Sequence, residues 1–178
     1  MRALILPILL VTALVVSGCG MPRFGLGGGD PKTVANVPRE RSVDPARAIE
    51  LINEHRADKG RPPLTTDGRL SAIAATTAQE LARRNTLRTE MHTSDGIAKR
   101  LDAANYDAAR AAENLGAGYP TLALTVEGWK NSRGHNKNLL NDKMTRAGIG
   151  LALTDKGPYQ SFWVLLLAAP PEERREGS

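Results

Sequence analysis

A chain of 178 residues with a formal charge of +5, 4% aromatic residues and a single cysteine is constrained before any motif is read. Its basic residues are dispersed, as in Arg83-Arg84 and Lys99-Arg100, whereas nucleic-acid binding requires a basic stripe and often stacking rings, so nucleic acid is not an expected partner. One cysteine excludes an internal disulfide and any multi-thiolate metal site.

The chain opens with Met1 and Arg2, then an uncharged apolar run from Ala3 to Val16. That run is shorter than the ~20 residues a spanning helix requires. Small Ser17 and Gly18 precede Cys19, which is the layout of a secretory signal peptide. The segment resembles a bacterial lipobox, and that resemblance implies cleavage after residue 18 and diacylation of Cys19, with palmitate-type chains anchoring the protein to a membrane. Several acyl chains anchor stably where one does not. Gly20 stands where an aspartate would resemble an inner-membrane retention signal, which favours the outer membrane. With Cys19 lipidated no thiol remains, and the protein is expected to be extracytoplasmic and held together by core packing alone.

Residues 19–43 are expected to be a lipidated flexible tether. Glycine, proline and arginine dominate "GMPRFGLGGGDPKTVANVPRERS" without apolar periodicity, and as a random coil the tether spans roughly 27 Å r.m.s.. "GLGGGD" has no strand before it and is a poor phosphate loop. Residues 44–170 are the size of one domain, and residues 171–178 form a charged tail expected to be disordered.

Within the domain, Asp44-Pro45 starts a first helix whose apolar face carries Ala48, Ile49, Ile52 and His55. "RPPL" breaks it. Asp67 caps a second helix with Leu70, Ile73, Ala74, Thr77 and Leu81 on one face, its alanines permitting close packing. "MHTSDG" is expected to be a loop, and Ser94 or Asp95 to start a third helix with Ile97, Leu101 and Ala104. "ARAAENLGAG" suggests a short strand entering a loop. Pro120 and Thr121 precede a fourth helix, with Leu122, Val126 and Trp129 inward and Gly128 weakening it. "RAGIGLALT" and "YQSFWVLLLA" then change the period to that of a hairpin. The second run is nearly continuously apolar, as in a central strand covered on both faces. Helices followed by a hairpin argue for an α+β fold.

The histidines are His55, His92 and His135. His55 lies on an apolar helix face and reads as packed and hydrogen-bonded. His92 and His135 are expected in polar loops, where functional groups concentrate. Glu113 follows a weakly polar stretch and is poised to point inward. Two imidazoles and a carboxylate form a known zinc set, yet the spacings of 21 and 22 residues match no local metal motif. Ser132, three residues before His135, raises a serine hydrolase, but no Gly-x-Ser-x-Gly elbow is present. Asn131, Asn136, Asn138 and Asn141 read as turn and cap residues. At this point His135 is open to three readings: ligand, catalyst or turn residue.

Four pieces in order, "INEHRADKGRPPL", "MHTS", "AENLGAG" and "GWKNSRGHNKNLLNDKMTRAGIGLAL", resemble the CAP superfamily (cysteine-rich secretory proteins, antigen 5, pathogenesis-related 1; SCP-like), in its bacterial branch without disulfides. The resemblance covers about residues 46–168. It implies a three-layer α-β-α sandwich with a central, mainly antiparallel sheet, and a shallow cleft lined by histidines and acids. Its first histidine falls on His92, its first glutamate on Glu113 and its second histidine on His135. The position of the second glutamate is Ser132, so the ligand cleft would be lined by His92, Glu113, Ser132 and His135. Glu127, five residues earlier, points about 140° away on a continuous helix. A divalent metal such as zinc on His92, Glu113 and His135 is thereby one anionic ligand short, and no cofactor is required.

The resemblance does not by itself imply an enzyme. Three functions are therefore expected to compete. The first is an envelope-anchored binding module for a lipid, sterol-like molecule, glycan or protein. The second is a metal-dependent or His/Glu acid–base hydrolase using His92, Glu113 and His135 on envelope material. The third is a structural or stress-related envelope protein with a vestigial cleft.

Overall fold

The computed structural model describes residues 37–88 and 90–171. The expected signal peptide, the lipidation site Cys19, the tether as far as residue 36 and the tail from residue 172 lie outside the described residues. In chain order the elements are α1 (Pro45–Asp58), β1 (Thr65–Thr66), α2 (Gly68–Arg84), a 3₁₀ turn (Glu90–His92), α3 (Ser94–Ala103), β2 (Arg110–Ala117), α4 (Leu122–Asn131), α5 (Arg133–Leu139), β3 (Arg146–Leu153) and β4 (Ser161–Ala169).

Local chemistry starts the helices where expected. The Asp44 carboxylate accepts from the Ala46 and Arg47 amides. Asp67 accepts from Arg69 and Leu70, Thr93 from Gly96 and Thr121 from Leu124. Each bond satisfies a donor that the first helical turn leaves unpaired. The residues just before α1 already touch the body: the Glu40 amide donates to the Pro120 carbonyl at 2.9 Å and Val43 packs on the core.

The strands form one sheet in the order β1-β3-β4-β2. β1 runs parallel to β3, and the remaining pairings are antiparallel. β4 is central, and its alternation divides the core. Phe162, Val164, Leu166 and Ala168 face the layer of α2 and α3, while Trp163, Leu165 and Leu167 face α1, α4 and α5. All seven are buried, which accounts for the continuous apolar run in the sequence. The result is a three-layer α-β-α sandwich.

The tightest approach between layers is that of α2 to β3. A Cβ on Gly148 would overlap the backbone nitrogen of Ser71, and one on Gly150 the backbone of Ala75. Both obstacles are main-chain atoms, which cannot rotate away. Gly150→Ala should therefore destabilise by about 1–3 kcal/mol, the usual range for overpacking. Urea melts read this as a lower midpoint, and an unchanged midpoint would mean that α2 does not lie against β3.

Three local expectations change. "AENLGA" lies wholly in β2, which runs to Ala117. "MHTSDG" contains a 3₁₀ turn and the first turn of α3. "RGHNKNL" is helical, so His135 stands on a helix and not in a loop. The physical reason is tertiary. Asn136 and Asn138 bond to distant elements, so their side chains do not compete locally for the backbone as they would in a turn.

Candidate functional site

The site is built at β2, the edge strand farthest from β1. Residues Ala111, Glu113 and Leu115 face the layer of α2 and α3, and Ala112, Asn114 and Gly116 face α4 and α5, by the period of two along a strand. Adjacent residues Glu113 and Asn114 therefore serve opposite faces of the sheet.

Glu113 is buried, its side chain 1% exposed. Its Oε1 accepts from Arg100 Nη1 at 2.7 Å, and its Oε2 accepts from His92 Nδ1–H at 2.8 Å. Arg100, on α3, spreads its guanidinium across three further acceptors: Thr77 Oγ1 at 2.7 Å, the Met91 carbonyl at 2.9 Å and the Gly96 carbonyl at 3.2 Å. His92, at the end of the 3₁₀ turn, keeps its side chain 38% exposed. With Nδ1 donating to the carboxylate, Nε2 is the nitrogen left for an incoming group, the tautomer logic of any imidazole with a fixed partner. Gly96 lets this turn sit down: a Cβ there would clash with the carbonyls of Glu90 and Met91.

Asn114 arranges the other face. Its amide donates to the His135 carbonyl at 3.1 Å. Asn138 donates to the Asn114 side chain at 2.9 Å and the Glu113 carbonyl at 3.2 Å. On the far side of α5, His55 Nε2–H donates to Asn136 Oδ1 at 2.8 Å, so His55 is the packed, hydrogen-bonded residue its apolar position suggests. Two asparagines expected to make turns instead pin α5 between α1 and β2. Asn131 pairs with Glu127, and Asn141 accepts from the Lys143 amide in a turn.

His135 is half-buried. Burial, followed by the charge of His92, holds its imidazole below the ordinary value of 6.5. The neutral form is therefore favoured in the folded protein. Well above pH 6.5 folded and unfolded states are both deprotonated at this residue, and its full stability is present. As pH falls from 6.5 through the folded value, the unfolded state binds the proton first and stability is lost. His135→Asn should flatten that part of a stability–pH profile measured by thermal melts at pH 5–8. A profile parallel to wild type would show that His135 does not carry the effect.

Ser132 ends α4 and precedes α5 in extended conformation (φ −97°, ψ 119°). The break separates Glu127 from His135, and Glu127 bonds Lys130 and Asn131 on the surface. Glu127 therefore does not replace the missing acid. Among the described residues no hydroxyl or thiol hydrogen-bonds to either His92 or His135.

Arg100 and Asn114 are the residues that sequence reasoning missed. A signal existed for Arg100: it lies three residues after Ile97 and one before Leu101, on the helix stripe that faces inward. Asn114 follows Glu113 directly, and only the pleat reveals that it serves the other face.

The donor set bears on metal binding. Glu113 commits one oxygen to Arg100 and the other to His92, and His92 turns Nδ1 to Glu113. Among the described residues no group of three or more His, Cys, Asp or Glu side chains converges as a metal site would require. A metal on His92, Glu113 and His135 would have to displace Arg100 or His92 from the Glu113 oxygens.

A separate open hollow of about 710 Å³ lies at the β1 edge, lined in part by Thr66, Asp67, Arg69 and Arg146. Its groups are already paired. Asp67 caps α2 and accepts from Tyr106 Oη, and Arg69 donates to the carbonyls of Ala104 and Asn105.

The layers and the sheet order define an α-β-α sandwich with a mixed four-stranded sheet. The chain belongs to the CAP, or cysteine-rich secretory protein, family, whose profile it matches over residues 49–167. A Bacillus subtilis protein of uncharacterized function, YkwD, is 30% identical over 118 residues, covering 66% of this chain and 46% of that protein. This chain thus spans less than half the length of that relative. In fold it is similar to an extracellular SCP-domain protein of Bacillus anthracis (TM-score 0.59, 24% identity, 80% of this chain and 45% of that one). It is also similar to an outer surface protein of Borrelia burgdorferi (TM-score 0.60, 22% identity, 73% and 98%).

Proposed function

We propose that this protein is an extracytoplasmic, lipid-anchored binding module of the cell envelope, whose cleft beside His92 and His135 captures a lipid, sterol-like molecule or glycan. The observation that supports it best is the state of the site. One imidazole is partly exposed and oriented by a buried carboxylate paired with Arg100, and among the described residues no hydroxyl or thiol hydrogen-bonds to it. Such a site offers an oriented hydrogen-bonding group to a ligand. Anchoring rests on the resemblance of the segment ending at Cys19 to a lipobox, and the extracytoplasmic location is supported by the similar extracellular protein of Bacillus anthracis and outer surface protein of Borrelia burgdorferi.

A second reading, an acid–base hydrolase, is favoured by one feature. The His92 Nδ1–Glu113 contact at 2.8 Å is the pairing that orients a histidine base. One experiment separates the two. Purified mature protein, as wild type, His92→Ala and Glu113→Gln, is incubated with peptidoglycan fragments and lipid extracts. Unaltered material retained by wild type and lost in His92→Ala supports binding. Products formed only when Glu113 is intact would replace binding with hydrolysis. Palmitate labelling tests the anchor, and an unlabelled protein free of the membrane fraction would refute it.

A further inference from the structure

We propose that Arg100 is the resident cation of this cleft, occupying the role toward Glu113 that a divalent metal would otherwise fill, so that the cleft presents imidazoles and no free carboxylate. This assignment is independent of whether the cleft binds or hydrolyses its ligand.

A buried carboxylate requires compensating charge, and Glu113 has it from a guanidinium at 2.7 Å. Its second oxygen accepts from His92, and a side chain 1% exposed leaves no open approach for another cation from solvent. Arginine is an unusual choice of partner for a site that must stay available to metal. It does not lose its proton in proteins, so its charge cannot be displaced by a change of pH.

Arg100 is also built in rather than passing by. Its donors reach α2 through Thr77, the 3₁₀ turn through the Met91 carbonyl, the start of α3 through Gly96 and β2 through Glu113. Thr77 in turn donates to the Ile73 carbonyl, which fixes the hydroxyl lone pairs toward the guanidinium. No buried side-chain nitrogen or oxygen among the described residues lacks a partner, so the cluster is saturated. Through Glu113, Arg100 sets the tautomer of His92 and the nitrogen it shows to the cleft. Arg100 is therefore a positioning residue, acting on His92 at one remove.

The test titrates Zn²⁺ into the purified full chain, as wild type, Arg100→Lys, Arg100→Met and Arg100→Met with Glu113→Gln, following heat of binding and thermal midpoint. Wild type and Arg100→Lys are expected to show no one-to-one zinc uptake. Arg100→Met frees Glu113 and should bind zinc at least tenfold more tightly, a gain that disappears in the double variant. Tight one-to-one zinc binding by wild type, or no gain in Arg100→Met, would overturn the proposal. Should Arg100→Met fail to fold, wild type alone decides by NMR. The Glu113 carboxyl carbon and the Arg100 side-chain N–H signals should stay in place on adding one equivalent of zinc. A shift of the carboxyl signal with loss of the Arg100 signals would refute the assignment.

Discussion

Replacing Arg56 with methionine is expected to lower stability by about 3–5 kcal/mol, the range for breaking a buried, charged hydrogen-bond network. Arg56 is fully buried near the end of α1. Its guanidinium donates to the carbonyls of Pro62 at 2.7 Å, Leu139 at 2.6 Å, Asn141 at 3.0 Å and Met144 at 3.5 Å. Leu139 is the last residue of α5, so the cation meets the negative end of that helix's dipole. A methionine fills similar volume but donates nothing, which leaves several buried carbonyls unpaired at ~1–3 kcal/mol each where water cannot reach them. Burial and the neighbouring Arg61 press the Arg56 pKa below its ordinary value, yet an arginine stays charged at working pH. Thermal melts should show a drop on the order of 10–20 °C for a domain of this size. A drop of only a degree or two would mean that water replaces the guanidinium, and that Arg56 is not the tie between α1, the turn after it and α5.

Glu113→Ala should be comparably damaging, at about 3–5 kcal/mol, because it leaves the Arg100 charge 15% exposed with no counterion. The His92 contact adds little to that figure, since the imidazole is partly exposed and solvent screens it. Glu113→Gln keeps an oxygen for Arg100 but not the charge, and should cost nearly as much. The two variants separate charge from packing. Equal losses in Ala and Gln would assign the effect to charge compensation, and a small loss in both would show that the pair is solvated. His92 should respond in either variant, because its Nδ1 loses a charged acceptor and the tautomer is no longer held. An imidazole NMR spectrum of His92 identical to wild type would contradict the link from Glu113 to His92.

Much of this arrangement was legible in the sequence, and the reasons are local. Asp44, Asp67 and Thr121 announce helix starts because a cap needs only a side-chain oxygen and the amides two or three residues on. The β3–β4 hairpin declared itself by period, and β4 by the absence of polar interruption between Phe162 and Ala168. The grouping of His92 with Glu113 in one cleft came from the resemblance, not from spacing, since 21 residues carry no geometry, and their direct hydrogen bond is seen only in the structure. β1 escaped notice because two residues cannot show a period, and its pairing with Arg146 and Ala147 is purely tertiary. The stretch around His135 misled for a related reason. Small polar residues favour turns in isolation, but Asn136 and Asn138 found partners on α1 and β2 and the segment stayed helical.

By itself the sequence determined the main helix starts, the closing hairpin, the apolar faces and the family, and it singled out His92, Glu113 and His135 as candidates. These follow from periodicity, capping and motif order, all properties of neighbours along the chain. Only the tertiary structure decided what the carboxylate is bonded to. Arg100 and Glu113 are 13 residues apart on a helix and a strand, and nothing local relates them. Their meeting depends on α3 packing over β2, and that contact turns a set of residues resembling metal ligands into a closed, charge-neutral pair with one imidazole facing out.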